Sequence, residues 1–343
     1  MKKLINPFKG IVLIAFALAP FLSMANTGDN IEKKRTISRS YAVGPDDKLS
    51  IENSFGNVTI STWDKNEIRV DIEIGVRANT DERAQRMMDQ ISVTDHQSGK
   101  DIGFKTEIGN MGKGKDNGNE DGRKFYVDYK VSMPSKNPLR IENSFGKISI
   151  PDFAGTASLT SKFGELITGK IPNAKMIHVE FGKAEIGQLN NADVVFKFNS
   201  KSTVAGLSGN TKVDVQFCSQ VSLFVDKSIN DLSVIQSYST IDLKVPVDIS
   251  ARFDVYTNFG SFKNKTDFNI SGENRDESSG PKFDRNYYGR AGSGSAKIKI
   301  KSSFGSVRVS NDTDKSVDKD NGKEDNDDKD DKDDEKDGDK VNL

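Results

Sequence analysis

The sequence predicts an all-β protein, a right-handed parallel β-helix (solenoid) in which strand–turn–strand coils of about 18–21 residues stack on one another, with one small inserted α/β element. The first observation behind this prediction is a phrase that the chain repeats letter for letter, because Ile51–Gly56 returns as Ile141–Gly146. The second is regular spacing, since Phe145, Phe163 and Phe181 follow one another at 18-residue intervals.

Looser copies of the phrase extend the prediction over most of the chain. Each copy ends in Phe-Gly and leads into an alternating apolar stretch, which is typical of stacked β-units. The copies are Ser161–Gly164, Val179–Gly182, Thr257–Gly260 and Ser302–Gly305. Tyr238 opens a further unit 21 residues before Phe259, and two coils of undecided register are expected within Phe196–Val225.

A third observation is a slip in the alternation of apolar residues. Phe55 and Val58 are both expected to face inward, although they are three positions apart and residues on one face of a strand are an even number of positions apart. The chain must therefore turn a corner at Gly56. We expect glycine to supply this corner because it accepts a positive φ without a Cβ clash. On this interpretation the aromatic residues face inward and are buried. They are Phe55, Phe145, Phe163, Phe181, Phe259 and Phe304.

The residue two places before each aromatic residue is mostly polar, which predicts an internal hydrogen-bonded ladder. Its members are Asn53, Asn143, Ser161, Gln236, Thr257 and Ser302. The right-handed winding follows from the hand of parallel crossover connections in proteins. An antiparallel sandwich with short hairpins stays open as the alternative.

The N-terminus has the pattern of a secretory signal peptide. Lysines precede an apolar run, Ile11–Leu22, and Ser23-Met24-Ala25 provides the small residues of a cleavage site. The run is shorter than the roughly 20 residues of a transmembrane helix, so we expect an exported chain without a membrane span in its mature form, in the periplasm, at the cell surface or secreted. An uncleaved anchor is the alternative.

The chain is predicted to divide into a signal peptide, a lead-in, a β-helix domain with two insertions, and a tail. The respective residues are 1–25, 26–48, 49–311 (insertions 76–135 and 265–296) and 312–343. In the first insertion we expect a helix capped at Asn79, and strand Phe125–Met133 paired with Asp101–Ile108.

The second insertion contains the only candidate interaction residues, Arg285, Tyr287, Tyr288 and Arg290. Tyrosine with arginine is the composition of many recognition surfaces. The same composition is also ordinary for a long surface loop, and the competing interpretation is therefore a loop without a specific binding role.

No reactive centre is predicted. Cys218, His96 and His178 lack the spacing of a catalytic or metal site, so we expect no catalytic, cofactor-binding or metal residues and no cofactor. With one cysteine, no internal disulfide forms. No phosphate-binding glycine motif or nucleophile–histidine pattern occurs, and a mixed-charge surface gives no reason to expect nucleic acid as a partner.

The tail is strongly acidic. Asp312–Lys340 carries about 15 acidic and 7 basic side chains and has no apolar periodicity, which predicts a disordered polyanion. Asp333, Glu335, Asp337 and Gly338 match the start of a calcium loop, but the glutamate at its twelfth place is missing. Weak divalent-cation binding is therefore the alternative.

The repeats and the phrase Val58–Val70 resemble the adhesin-type domains of Gram-negative envelope proteins, a β-strand-repeat family related to the head-GIN type. The resemblance covers roughly Leu49–Asn311 outside the insertions. It implies an exported β-helical protein with no catalytic residues to carry over.

Together these features favour a non-enzymatic, adhesin-like interaction or structural scaffold of the cell envelope. Its partner would be an envelope protein or a polysaccharide. The alternative is a β-helix that binds or cleaves polysaccharide, and an accessory role in envelope sensing is a third hypothesis.

Deleting residues 312–343 should leave the melting temperature of the remaining protein unchanged, because the tail has no apolar face to bury. Circular dichroism of the full and truncated chains, with and without millimolar calcium, checks this. Cooperative folding of the tail at low micromolar calcium would contradict it.

Overall fold

The computed structural model describes residues 31–110, 125–273 and 283–313. The predicted signal peptide and the tail beyond Thr313 lie outside these residues. The all-β prediction is confirmed: the described residues form strands that join into one 23-stranded sheet, together with one α-helix.

The strands and the helix follow in chain order. The first group is β1 (Ile31–Ala42), β2 (Lys48–Ser54), β3 (Val58–Trp63), β4 (Glu67–Ala78), α1 (Asp81–Asp89), β5 (Ile91–Ser98), β6 (Asp101–Ile108) and β7 (Phe125–Pro134). The second is β8 (Leu139–Ser144), β9 (Lys147–Ile150), β10 (Ala157–Lys162), β11 (Glu165–Thr168), β12 (Ala174–Glu180), β13 (Lys183–Asn190), β14 (Asp193–Lys197), β15 (Lys201–Gln216) and β16 (Gln220–Ser237). The last is β17 (Thr240–Val245), β18 (Ala251–Asn258), β19 (Ser261–Lys265), β20 (Asn269–Gly272), β21 (Asp284–Ala291), β22 (Ala296–Ser303) and β23 (Ser306–Asn311).

The repeating unit is a strand, an aromatic corner and a second strand. Equivalent strands of successive repeats pair in parallel. One inward column shows the register: Ile141 pairs with Leu159, then Ile177, Val194, Val213 and Val234. The steps are 18, 18, 17, 19 and 21 residues, so the register left open in the middle of the chain places Phe198 and Phe217 at the corners.

The last repeat does not stack in chain order. Strand β22 pairs in parallel with β16 on one side and β18 on the other, and β23 lies in the same way between β17 and β19. The repeat formed by β22 and β23 is therefore inserted between two earlier ones. Antiparallel strands β21 and β20 then follow β18 at this end of the sheet.

The opposite end carries the predicted α/β insertion, with a different pairing from the one expected. Strand β6 pairs with β2 and β5, whereas β7 pairs with β3 and β4, so Asp101–Ile108 and Phe125–Pro134 extend different strands. The helix is capped by Thr80 rather than Asn79, because the Thr80 hydroxyl accepts the N–H of Arg83 at 3.2 Å.

The core lies between the inward faces of the paired strands and is almost wholly aliphatic. Leu49, Ile51, Ile141, Leu159 and Ile177 are all fully buried. The six predicted inward polar residues are also buried. Their hydrogen bonds do not form one continuous ladder, because Val179, Phe196 and Val215 occupy the equivalent positions of the middle repeats.

Polar contacts in the ladder are therefore local. Asn53 Nδ2 donates to Asn143 Oδ1 at 3.0 Å, and Gln236 donates to Ser302. Asn143 Nδ2 also donates to the carbonyl of Gly56 at 2.9 Å. These inward amides satisfy a corner carbonyl that turns toward the core.

The corners differ from the sequence-based expectation. The positive φ belongs to the aromatic residue, for example 62° at Phe55 and 53° at Phe163, and not to the glycine that follows. The glycine is needed for close approach, since a Cβ on Gly164 would overlap the carbonyl oxygen of Gly146 in the neighbouring repeat. The same contact recurs between Gly182 and Gly164.

Gly164→Ala should therefore lower the free energy of unfolding by about 3 kcal/mol or more, because backbone must move to admit one methyl group. Gly44→Ala is the matched control: the nearest atom to its added Cβ is a carboxylate oxygen 3.9 Å away, so we expect a change of about 0.5 kcal/mol or less. Chemical denaturation of the two variants measures the difference. Equal effects would mean that the corners do not touch.

Candidate functional site

The nine aromatic corner residues, extended at the two ends by Phe125 and Phe283, form one continuous column, here called the aromatic stripe. In spatial order its members are Phe125, Phe55, Phe145, Phe163, Phe181, Phe198, Phe217, Tyr238, Phe304, Phe259 and Phe283. Neighbouring ring centroids are 4.5–5.1 Å apart, and apart from the first pair the rings lie within 13° of parallel. Ten such steps carry the stripe roughly 50 Å along the stack.

The stripe lies at the surface, so the prediction that these rings are buried was wrong. Phe163 is 47% exposed and Phe259 52%. The cause is the left-handed backbone conformation, which rotates the Cα–Cβ bond from the inward to the outward side of the corner. Phe163 and Phe181 nevertheless lie in adjacent repeats, with their centroids 4.9 Å apart, as expected.

The rings and the backbone stabilise the corners together. A left-handed residue with a side chain costs about 1–2 kcal/mol. Each parallel ring pair contributes about 0.5–1.5 kcal/mol of stabilisation, in addition to the stabilisation from the apolar area that it buries. The backbone ladder also continues through the corner, since the Phe145 N–H donates to Lys162 O and the Phe163 N–H to Glu180 O, both at 2.9 Å.

Stacking decides which atoms a partner can reach. The repeats are spaced more widely than two touching rings require, so the rings tilt into an offset stack. Within the stripe the ring faces are covered by the neighbouring rings, and it is the edges, which carry partial positive charge, that meet solvent. Only a ring at an end of the stripe keeps a face that no other ring of the stripe covers. The stripe therefore presents a narrow row of apolar ring edges.

The two halves of the stripe differ in what lies beside them. Around Phe163 and Phe181 in the first half the flanking residues are charged and paired, as in the contacts of Lys183 with Glu165 at 2.7 Å and of Lys162 with Glu180 at 3.7 Å. Beside Phe55, at the start of the stripe, they are Ser54 and Asn57. Along the second half the same positions hold small uncharged residues. These are Ser219, Thr240, Ser306 and Ser261 on one side, and Ser237, Ser303 and Asn258 on the other.

This exchange opens a groove beside the second half of the stripe. Its first part has a volume of about 630 Å³, with Tyr238, Phe304 and Phe259 as one wall and hydroxyl-bearing residues as the other. A second part of about 410 Å³ continues from Phe259 to Phe283 and Tyr287. We call both parts together the aromatic groove.

The four predicted interaction residues lie on strand β21 and not in a loop. Strand alternation separates them: Arg285 and Tyr287 line the second part of the aromatic groove, where the Tyr287 ring lies 4.7 Å from that of Phe262. Tyr288 and Arg290 occupy the other positions of the alternation, opposite Asp254 and Arg252. The structure thus assigns them to two surfaces.

The remaining candidates are placed as follows. Cys218 is buried, its N–H donates to Ser239 Oγ at 2.9 Å, and burial raises the pKa of its thiol. Burial also favours the neutral form of His178, and therefore lowers the pKa of that side chain.

Among the described residues no cluster of three or more His, Cys, Asp or Glu side chains could hold a metal ion. Within those same residues, no helix is long and apolar enough to cross a membrane.

Sequence reasoning missed the aromatic groove because it assigned the rings to the core. The available signal was the residue two places after each corner aromatic residue, which is Lys147, Glu165 and Lys183 in three early repeats and Ser or Thr in the later ones. If the rings were buried, this change would say nothing about the surface around them. Because the rings are exposed, it shows which of them have uncharged neighbours.

No protein-family model matches the chain, and no curated protein matches it. The chain is similar to several solved structures, of which three are described. A proposed adhesin from Parabacteroides merdae is 8% identical, with a TM-score of 0.35, covering 82% of this chain and 97% of that one. A proposed adhesin from Bacteroides fragilis is 10% identical, with a TM-score of 0.34 and coverages of 80% and 97%. A proposed cell adhesion protein from Clostridium sporogenes is 14% identical, with a TM-score of 0.27 and coverages of 81% and 100%.

Phe163→Ala should destabilise the protein by about 1–3 kcal/mol, less than a buried ring would. Phe163→Gly should cost about 1 kcal/mol less than the alanine variant, because glycine relieves the left-handed strain while losing the same ring. Leu159→Ala, at a fully buried position of the same repeat, is the control and should cost about 2–5 kcal/mol. Urea denaturation of all three ranks them. A glycine variant less stable than the alanine variant would contradict the strain argument.

Proposed function

We propose that the chain is an exported, non-enzymatic, adhesin-like scaffold of the cell envelope, and that the aromatic groove is its contact surface for a protein partner. In this proposal the parallel repeats wind as a right-handed β-helix, which makes the stripe straight and rigid. Export is supported by the signal-peptide pattern of residues 1–25.

The observation that carries the proposal is the exposed row of rings bordered by hydroxyl groups. Protein interfaces are enriched in aromatic residues and depleted of charge at their centre, and they carry a polar rim. The second half of the stripe has this composition, whereas charged pairs border Phe163 and Phe181 in the first half. The described residues that line the first part of the groove are hydroxyl-bearing residues, aromatic residues, glycines and Cys218. Such a lining is suited to contact with the surface of a partner protein.

One observation favours the polysaccharide-binding alternative at a single place. Phe283 ends the stripe, is 60% exposed and stacks only on Phe259 among the rings of the stripe, so one of its faces is not covered by the stack. Sugar rings pack on aromatic faces, and Arg285 and Tyr287 in the adjoining groove could bind hydroxyl groups. A glycan would therefore bind at this end and not along the stripe.

Ser306→Glu should weaken partner binding, because it places a carboxylate beside the rings in the aromatic groove. Lys147→Glu is the matched control, since Lys147 holds the same repeat position beside the charged half of the stripe. We expect the wild type and the control to capture the same envelope protein. The identified partner, once purified, should bind both with equal affinity and bind Ser306→Glu at least tenfold more weakly.

Equal binding by all three proteins would exclude the groove as the contact surface. Loss of binding only on Phe283→Ala, with a neutral glycan as the ligand, would favour the polysaccharide alternative.

A further inference from the structure

The outward side of β22, β18 and β21 carries five cationic side chains, here called the cationic face. They are Arg252, Arg290, Lys297, Lys299 and Lys301. Three of them form one row across the strands, since Arg290 pairs in register with Arg252 and Arg252 with Lys297. The three lysines form a column along β22.

This arrangement of positive charges destabilises the folded protein when no ligand is bound. Neighbouring strands lie about 4.8 Å apart, and like charges directly opposite one another destabilise a sheet. Two carboxylates share the outer side of these strands: Asp254 lies 3.8 Å from Lys299, and Asp284 pairs with Asn258 at the other end of β18. Neither lies in the row of Arg290, Arg252 and Lys297. Asp231 on β16 pairs in register with Lys297 at the end of that row, but among the described residues no carboxylate pairs in register with Arg252 or Arg290.

A glycine turn supports the two arginines. Gly292 and Gly294 adopt positive φ values of 54° and 70° in the turn that joins β21 to β22. A Cβ on Gly294 would lie 2.8 Å from Arg290 Nε and 2.9 Å from Arg252 Cγ, so both side chains pack directly over this turn. Arg290 also donates to the carbonyl of Ser293. The guanidinium groups are thereby partly ordered before any ligand arrives, which lowers the entropic cost of binding.

We propose that the cationic face binds a linear polysaccharide that carries carboxylate groups. Arginine binds carboxylates through paired N–H donors, and a row of cations fits a chain with regularly repeated charges. Tyr288 and Tyr256 lie beside the cations on the same side of the sheet and offer ring surfaces to sugar rings.

The charge pattern favours a chain over an anionic membrane. A flat bilayer would meet more of the outer side of this sheet, where Asp231 pairs with Lys297 and Asp214 lies on β15 two strands from β22. A narrow chain can follow the cations and avoid these carboxylates. The proposal is independent of the aromatic groove. Strand β21 contributes Arg285 and Tyr287 to the groove and Tyr288 and Arg290 to the outer side with the cations, so the two surfaces share no residue.

Binding of polygalacturonate to the full chain, measured by isothermal titration calorimetry, tests the proposal. We expect binding at 20 mM salt that weakens at least tenfold at 300 mM salt, because exposed charges are screened. The double variant Arg252→Glu/Lys297→Glu should bind at least tenfold more weakly than the wild type. Its melting temperature is measured in parallel, because the two new carboxylates would face one another and the one at position 297 would also face Asp231.

The matched control is Lys263→Glu/Lys265→Glu, which changes the net charge equally on exposed positions of β19. It should bind within twofold of the wild type, and neutral dextran should not bind to any of the proteins. If the double variant melts early, Lys297→Gln alone should still show a weaker, salt-sensitive affinity.

Three results would overturn the proposal. The first is no binding of polygalacturonate by the wild type at 20 mM salt. The second is equal loss in the variant and the control, which would indicate a general charge effect. The third is tight binding to phosphatidylglycerol vesicles, lost in the double variant, without binding of polygalacturonate, which would assign the face to a membrane.

Discussion

The contact between successive corners constrains the rest of this structure. Each corner glycine lies so close to the carbonyl of its neighbour that a Cβ does not fit, as at Gly146, Gly164 and Gly182. Strand pairing holds the repeats at one spacing, and the corner must satisfy that spacing as well. Where the glycine is replaced, as by Asn199 and Ser239, the repeat length departs from 18 residues and the new side chain accepts a hydrogen bond from a backbone N–H of the adjoining repeat.

The same corner explains the exposed rings. Placing the left-handed residue before the glycine directs its side chain outward, and a bare left-handed residue would only cost free energy. An aromatic side chain offsets that cost because it meets its equivalents above and below at stacking distance. Stability and surface chemistry are thus coupled: the rings that stabilise each corner also form the apolar row that a partner could contact.

Both proposed binding surfaces lie toward the end of the sheet where chain order and spatial order diverge. Insertion of β22 and β23 between earlier repeats brings Phe304 between Tyr238 and Phe259 and so keeps the stripe continuous. It also brings Lys297 beside Arg252. A chain that stacked its repeats in order would have neither the same groove nor the same row of cations.

The sequence by itself determined the all-β class, the repeat, its 18-residue step and the buried inward residues, because period-two alternation and repeated phrases are local signals. It could not decide where the aromatic rings point: alternation places Phe163 inward, and only the left-handed φ, set by packing of corner on corner, turns it outward. The pairings of β6 and β7, the insertion of the last repeat and the division of Arg285, Tyr287, Tyr288 and Arg290 between two surfaces were likewise decided by tertiary structure. These features depend on which distant strands meet, and no short stretch of sequence carries that information.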